Sequence, residues 1–508
     1  MLRFLFLAAS LLLLPFVIQA QDKHWIFFKD KNLTEDVNTS QEMIRDHPVY
    51  RPYLDSLETF GVKVLRTTKW LNAASVVLTE EAEQKITALG FVDSIGGVRT
   101  YQTTASTKKN DDATYSDLIK HLGVKLLKDK GIDGKDVLVG VIDAGFVRAD
   151  SADMFRRIFK EERVLGFRDF IDPDREDKYS KMTKGDYHGR NVWGYIAGFD
   201  EEKKKQTGLA TGASFYLART ENGDKEHRIE EDDWISAMEW MDSLGVRLIN
   251  TSLGYSTFDD PEEDYEISDM NGRTTMISRA AEIAVKERGL FLVVSAGNMG
   301  HKDWKVVTAP ADVRGALTVG ATELKNYAKI NYSSIGVDFV NYLKPNIATY
   351  SDRGTSYAAP AITGLVACMM QLYPEVPMKE LREAIEKSGH LYPYGNNYIG
   401  YGVPDAARII GILDDEYDPL ENKSEIKVSG DEKITVDLGD DLDNSIVLFY
   451  KKNEMIVEEQ DVVGLRSKSK HHKAYKKKGQ SFIRLTRREG VERTTISAGD
   501  RVIEVFWN

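Results

Sequence analysis

Three side chains in this sequence could together run acyl transfer, and each lies in a segment that would present it. Ser356 lies in Arg353-Gly354-Thr355-Ser356-Tyr357-Ala358-Ala359-Pro360, at a glycine-led turn just before the apolar run 361–370. The start of a helix offers free N–H groups and the positive end of a dipole to a developing oxyanion. Asp143 closes the β-branched run Val137-Leu138-Val139-Gly140-Val141-Ile142. Such a run reads as a buried parallel strand, and ligands collect at the carboxyl ends of strands in open α/β sheets. His188 opens a predicted helix in which Gly189, Gly194 and Ala197 permit close packing. Serine chemistry needs a nucleophile, a general base and a buried acid that fixes the base's tautomer. These residues supply the three roles, in the chain order Asp, His, Ser. No zinc-type pair of histidines lies on one helical face, so metal hydrolysis is not favoured. Of the nine histidines, His188 is set apart by its motif, and His301, near Asn298, is read as a residue of the site's rim.

Two further segments extend the pattern. Leu292-Val293-Val294-Ser295-Ala296-Gly297-Asn298 is an apolar strand that ends in an amide, and Asn250-Thr251-Ser252-Leu253-Gly254 closes another strand. The five segments, taken in chain order between about residues 115 and 407, resemble the subtilisin-like serine peptidases, the subtilases. The resemblance implies a triad of Asp143, His188 and Ser356, with Asn298 as oxyanion donor. It implies that Ser252, Leu253 and Gly254 pair with the substrate backbone and that Gly297 stands on the facing wall of the specificity pocket. It further implies protein or peptide substrates, the chain's own propeptide as a partner, and no cofactor for catalysis. Structural calcium is common in the family but is unassigned here. The acidic stretch 259–264, with Asp269 and Asn271, could supply oxygen ligands or be a solvated insertion. Ala144, Arg190, Asn191, Trp193 and Tyr357 depart from the residues usual in the family, which bears on substrate preference and rate rather than reaction type.

The elements that must position these groups alternate. Strands are predicted at 137–142, 214–218, 247–252, 290–295 and 316–319, and helices at 233–244, 275–287 and 360–372. This pattern predicts an α/β fold, a subtilisin-like parallel sheet with helices on both faces, over residues 106–413. Residues 21–105 read as a small α+β module of β-α-β-β-α order, with Thr79 capping its second helix. It resembles the subtilase propeptide, an inhibitor and folding assistant; the alternative is an N-terminal domain of other role. The polar segment 103–114 reads as an exposed linker suited to cleavage. Residues 414–508, after an acidic linker at 414–422, read as a small all-β domain, with strands at 426–428, 434–436, 446–450, 482–485 and 502–506.

The chain has 508 residues, 42% hydrophobic and 29% charged, with a net charge of −12. This is the composition of a globular protein with a large core, and the charge gives no reason to expect a nucleic-acid partner. The basic run 466–478 is read as a solvated hairpin loop rather than a patch for an anionic surface. Residues 1–20, with Arg3, an apolar run and Ala20, read as a secretory signal peptide, so a secreted or periplasmic protein without a transmembrane anchor in its mature form is expected. Cys368, the single cysteine, is expected in the core, so no intramolecular disulfide forms. The function read here is a secreted serine endopeptidase. The alternatives are a narrow-specificity processing protease or a catalytically silent secreted binding protein on the same fold.

Overall fold

The computed structural model describes residues 22–33, 41–97, 115–181, 183–225, 227–430, 432–440, 442, 445–477 and 479–507. Segments 1–20 and 103–114 lie outside the described residues. The chain forms two compact units, Met1–Val98 and Arg99–Asn508.

In the first unit a four-stranded antiparallel sheet has the spatial order Lys63–Thr68, Ala73–Leu78, Asp22–Phe28, Val92–Gly97. Ile26, Leu57, Val76 and Ile86 are fully buried at its core, beneath the helices Arg51–Thr59 and Glu80–Thr87. Thr79 caps the second of these as its sequence suggested, its hydroxyl accepting from Ala82 N at 3.3 Å. The fourth strand, Val92–Gly97, was not foreseen. Its sequence Val-Asp-Ser-Ile-Gly-Gly carries two glycines and little β-branching, and pairing with Asp22–Phe28 sets its conformation.

The larger unit is built on a seven-stranded sheet in which every pairing is parallel. Its spatial order is Ile347–Tyr350, Leu317–Thr322, Phe291–Ser295, Leu248–Thr251, Leu138–Asp143, Ser214–Arg219, Val164–Asp169. The central strands are buried along nearly their whole length, which is why they are apolar without alternation. The two strands that sequence reading missed, Val164–Asp169 and Ile347–Tyr350, are the sheet's two edges. Val164–Asp169 is mostly half-buried and carries mixed residues, while Ile347–Tyr350 is buried but only four residues long.

After Leu138–Asp143 the chain adds strands on one side, and from Leu248–Thr251 onward on the other. These two strands are neighbours, so the crevice beyond their carboxyl ends is the topological switch point, where such sheets bind ligands. The helix Thr355–Leu372 crosses behind Leu248–Thr251, Phe291–Ser295 and Leu317–Thr322 and packs on the helix Tyr187–Ala197. It is buried from Thr355 to Met369, Cys368 included.

Residues 423–507 form five-stranded and three-stranded sheets around a shared core that includes Leu448, Ile483, Leu485 and Val505. The basic run is not simply a loop. His472–Lys477 is a strand that pairs with Gln480–Thr486, and its His472 and Ala474 are buried. This domain packs against the catalytic sheet's own unit. Val447, Phe449, Val457 and Val502 cluster with Ala348, Leu391 and Ile399, and Val457 N donates to Asn397 Oδ1 at 2.9 Å.

Candidate active site

Asp143 is the last residue of its strand and is fully buried. Its Oδ1 accepts from Ala144 N at 2.8 Å and lies 2.7 Å from His188 Nδ1. Its Oδ2 has no hydrogen-bond partner among the described residues.

His188 is the second residue of the helix Tyr187–Ala197. Gly189 lets that helix sit against the strand end. A Cβ there would stand 2.4 Å from Gly145 O and 2.8 Å from Asp143 Cβ, so any larger residue would push the imidazole off the carboxylate. The helix start is braced from below by buried charge. Thr183 donates through N and Oγ1 to Asp186, at 2.9 and 2.7 Å. Arg219 Nε donates to Ala144 O at 3.1 Å and lies 3.5 Å from Asp186, while its NH1 reaches both oxygens of Asp169. Burial works against the protonated imidazole of His188. The Asp143 carboxylate and its hydrogen bond more than offset this, leaving the group above its ordinary value of 6.5.

The helix that carries Ser356 begins at Thr355, a turn and a half earlier than its apolar run suggested, so the serine is the helix's second residue and not a turn residue before it. Gly354 supplies the entry with φ of 151°, a conformation unfavourable to other residues. Pro360 has no N–H for the carbonyl of Ser356 one turn earlier, and Ser252 Oγ donates to that carbonyl instead at 3.0 Å. Ser356 Oγ donates to the main-chain oxygen of Ser252 at 3.2 Å rather than to His188, and Ser252 Oγ returns a bond to Ser356 O at 3.0 Å. The nucleophile candidate and the candidate substrate strand are thus tied together directly.

Asn298 Oδ1 accepts from Thr355 N at 2.9 Å and Thr355 Oγ1 at 3.1 Å. With its oxygen so engaged, the amide must present its NH2 group elsewhere, as an oxyanion donor requires. Thr355 also accepts from Gly297 N at 3.1 Å. This fully buried threonine was missed from sequence, although its place between Gly354 and Ser356 was the available signal. Leu253 and Gly254 are half-buried beyond the end of Leu248–Thr251, with Gly297 facing them across Thr308.

Two of the departures now have a structural account. Trp193 points into the core, stacked on Phe155 at 3.9 Å, and does not enter the site. Tyr357 places its ring 5.8 Å from that of His188 and 5.3 Å from that of Tyr195. His301 is exposed. In the acidic stretch, Asp260 and Asp264 accept main-chain N–H groups of Glu262 and Phe258. Among the described residues no group of three or more His, Cys, Asp or Glu side chains converges as a metal site, and no helix is long and apolar enough to cross a membrane.

Comparison with known proteins gives the family. The subtilase family (peptidase S8) matches residues 134–402, just over half of the chain, and the peptidase S8 propeptide domain of Bacteroidota matches residues 36–114. Subtilisin DY of Bacillus licheniformis is 26% identical over 296 residues, covering 54% of this chain and 95% of that protein. Subtilisin E of Bacillus subtilis is 24% identical over 363 residues, covering 68% and 84%. Among solved structures, fervidolysin from Fervidobacterium pennivorans, a keratinolytic enzyme related to subtilisin, superimposes with a TM-score of 0.53 at 16% identity, over 94% of this chain and 71% of that one. That last likeness is one of fold.

Proposed function

The chain belongs to the subtilase family of serine-type peptidases and carries a family propeptide domain, and on that premise we propose that it is a secreted endopeptidase whose Asp143, His188 and Ser356 form the catalytic triad. The observation that carries this reading is the buried Asp143 carboxylate 2.7 Å from His188 Nδ1, at the switch point that Ser252 and Ser356 also line.

The bond to Asp143 fixes the proton of His188 on Nδ1, so Nε2 is the basic nitrogen. Rotation of Ser356 about χ1 exchanges its bond to Ser252 O for one to Nε2. His188 then takes the hydroxyl proton as Oγ attacks the scissile carbonyl, and it returns that proton to the leaving amine. The carbon–nitrogen bond breaks and an acyl ester on Ser356 remains, which water opens by the same steps. Asn298 Nδ2 and the Ser356 N–H, in a first helical turn that no helical carbonyl satisfies, hold the oxyanion. Ser252-Leu253-Gly254 extends along the substrate as an added strand, a mode that reads main chain first. These steps draw on protein groups alone.

Residues 1–20 direct export on this reading, and the propeptide domain inhibits the enzyme and speeds its folding until the linker 103–114 is cut. A parallel sheet made of long-range contacts closes its loops before those contacts form, so a preformed module that organises it lowers the barrier. The test is Ser356→Ala in the full-length chain. The variant should persist as an unprocessed precursor without casein hydrolysis; maturation in isolation with retained hydrolysis would remove Ser356 from the mechanism.

A further inference from the structure

The substrate strand and the glycine opposite it do not enclose an empty slot. A Cβ built on Gly254 would lie 2.1 Å from Thr308 Oγ1 and 3.2 Å from its Cβ. One built on Gly297 would lie 3.2 Å from the same hydroxyl and 3.0 Å from Ser334 Oγ. The Thr308 hydroxyl therefore stands between both walls and touches each.

Its position is fixed by main chain. Tyr255 and Ala309 exchange hydrogen bonds in both directions, at 2.8 and 3.0 Å, and Ala311 N donates to Thr308 O at 2.8 Å. The residue after Gly254 and the residue after Thr308 are thereby locked in register. Rotation about χ1 offers no clear escape. The γ-methyl is already 3.5 Å from the Gly297 position, and β-branched side chains have few rotamers. Ser334 is held as well, its hydroxyl accepting from Met299 N at 3.0 Å. Thr308 itself is 4% exposed, and its Oγ1 has no hydrogen-bond partner among the described residues. That oxygen is sealed from solvent, so it fills the space between the two glycines and leaves no room there for a ligand atom.

We infer that Thr308 is a specificity-determining residue that floors the pocket for the substrate side chain preceding the scissile bond, restricting that residue to glycine, alanine or serine. The inference rests on the proposed substrate strand. A methyl or hydroxymethyl group is short enough to end above Thr308. A phenylalanine or leucine side chain would need the volume that Thr308 occupies between Gly254 and Gly297.

The test uses the matured product of the full-length chain and peptides that differ only in the residue before the scissile bond. Alanine and serine peptides should be cleaved at least tenfold better, in kcat/KM, than phenylalanine or leucine peptides. Thr308→Gly should raise the phenylalanine-to-alanine ratio by about 10–200-fold, the range that removing small groups from an apolar pocket gives. Thr308→Val keeps the volume without the hydroxyl, so it should keep the size limit. Equal cleavage after phenylalanine and alanine by the wild type, or an unchanged ratio in Thr308→Gly with alanine cleavage intact, overturns the inference. Hydrolysis that survives Ser356→Ala fails differently, because it removes the site reading on which the inference stands.

Discussion

Two buried ion pairs, one in each half of the larger unit, make an instructive contrast. In the C-terminal domain Lys451 Nζ and Glu504 Oε1 lie 2.6 Å apart with side chains 1% and 0% exposed, and Thr495 Oγ1 donates to the second carboxylate oxygen at 2.6 Å. In the catalytic domain Asp143 is equally sealed, but its partner His188 keeps 20% of its side chain exposed. The first pair is closed on every side and can only hold structure. The second seals its acid and leaves its base reachable, which is what proton transfer to an incoming substrate requires. The electrostatics differ in the same sense. Burial lowers Lys451 more than Glu504 raises it, whereas His188 ends above its ordinary value because the carboxylate outweighs burial.

The contrast predicts opposite phenotypes. Asp143→Asn should lower kcat/KM on a peptide substrate by about 10⁴ through loss of tautomer control and of imidazolium stabilisation. A loss below tenfold would place the pair outside the reaction. Glu504→Gln should instead destabilise the fold by about 3–5 kcal/mol, since it strands a buried ammonium, and leave kcat/KM per folded molecule unchanged. Urea titration with active-site counting separates the two. Replacing both residues, Lys451→Met with Glu504→Leu, should recover most of that loss. Should the single variant instead cost activity without stability, the closed pair would not be merely structural.

Asn298→Ala should cost about 10²–10³ in kcat with KM nearly unchanged, because its amide acts when charge develops on the oxygen. Wild-type kcat in that variant would remove Asn298 from the site.

The smallest effect expected is on pH dependence. With His188 raised above 6.5, the acidic limb of kcat/KM should fall above that value, since the neutral imidazole is the base. In Asp143→Asn the residual limb should move down, because burial then acts without the carboxylate. The linkage has the opposite sign for stability. The pair stabilises the fold fully below the unfolded histidine's pKa, and this contribution disappears as pH rises through the raised folded value. A limb that stays in place in the variant would mean Asp143 does not set the titration.

What could be read from sequence follows the same division between closed and mixed environments. The five central strands were legible because burial on both faces demands apolar runs, while the edge Val164–Asp169 is mostly half-buried and the edge Ile347–Tyr350 is only four residues long. Asp143, His188, Asn298 and Ser356 stood out as candidates because glycines and strand ends mark them. Thr355 and Thr308 were not, since a threonine's role depends on which backbone it faces. The early start of Thr355–Leu372 was hidden because Gly354 and Pro360 both read as breakers. A proline six residues into the helix is accommodated because Ser252 Oγ satisfies the Ser356 carbonyl that it cannot. The strand His472–Lys477 was hidden by its charge, because its lysines point outward while His472 and Ala474 pack inward.

The central claim is that Ser356 is the nucleophile made reactive by His188, and covalent labelling tests it most directly. The matured protein is treated with a sulfonyl fluoride and the site of modification is found by peptide mass mapping, with His188→Ala treated in parallel. The account predicts one adduct, on Ser356, loss of casein hydrolysis in step with its formation, and labelling slowed by orders of magnitude in His188→Ala. Undiminished hydrolysis with Ser356 unmodified, or equal labelling of the two proteins, would contradict it.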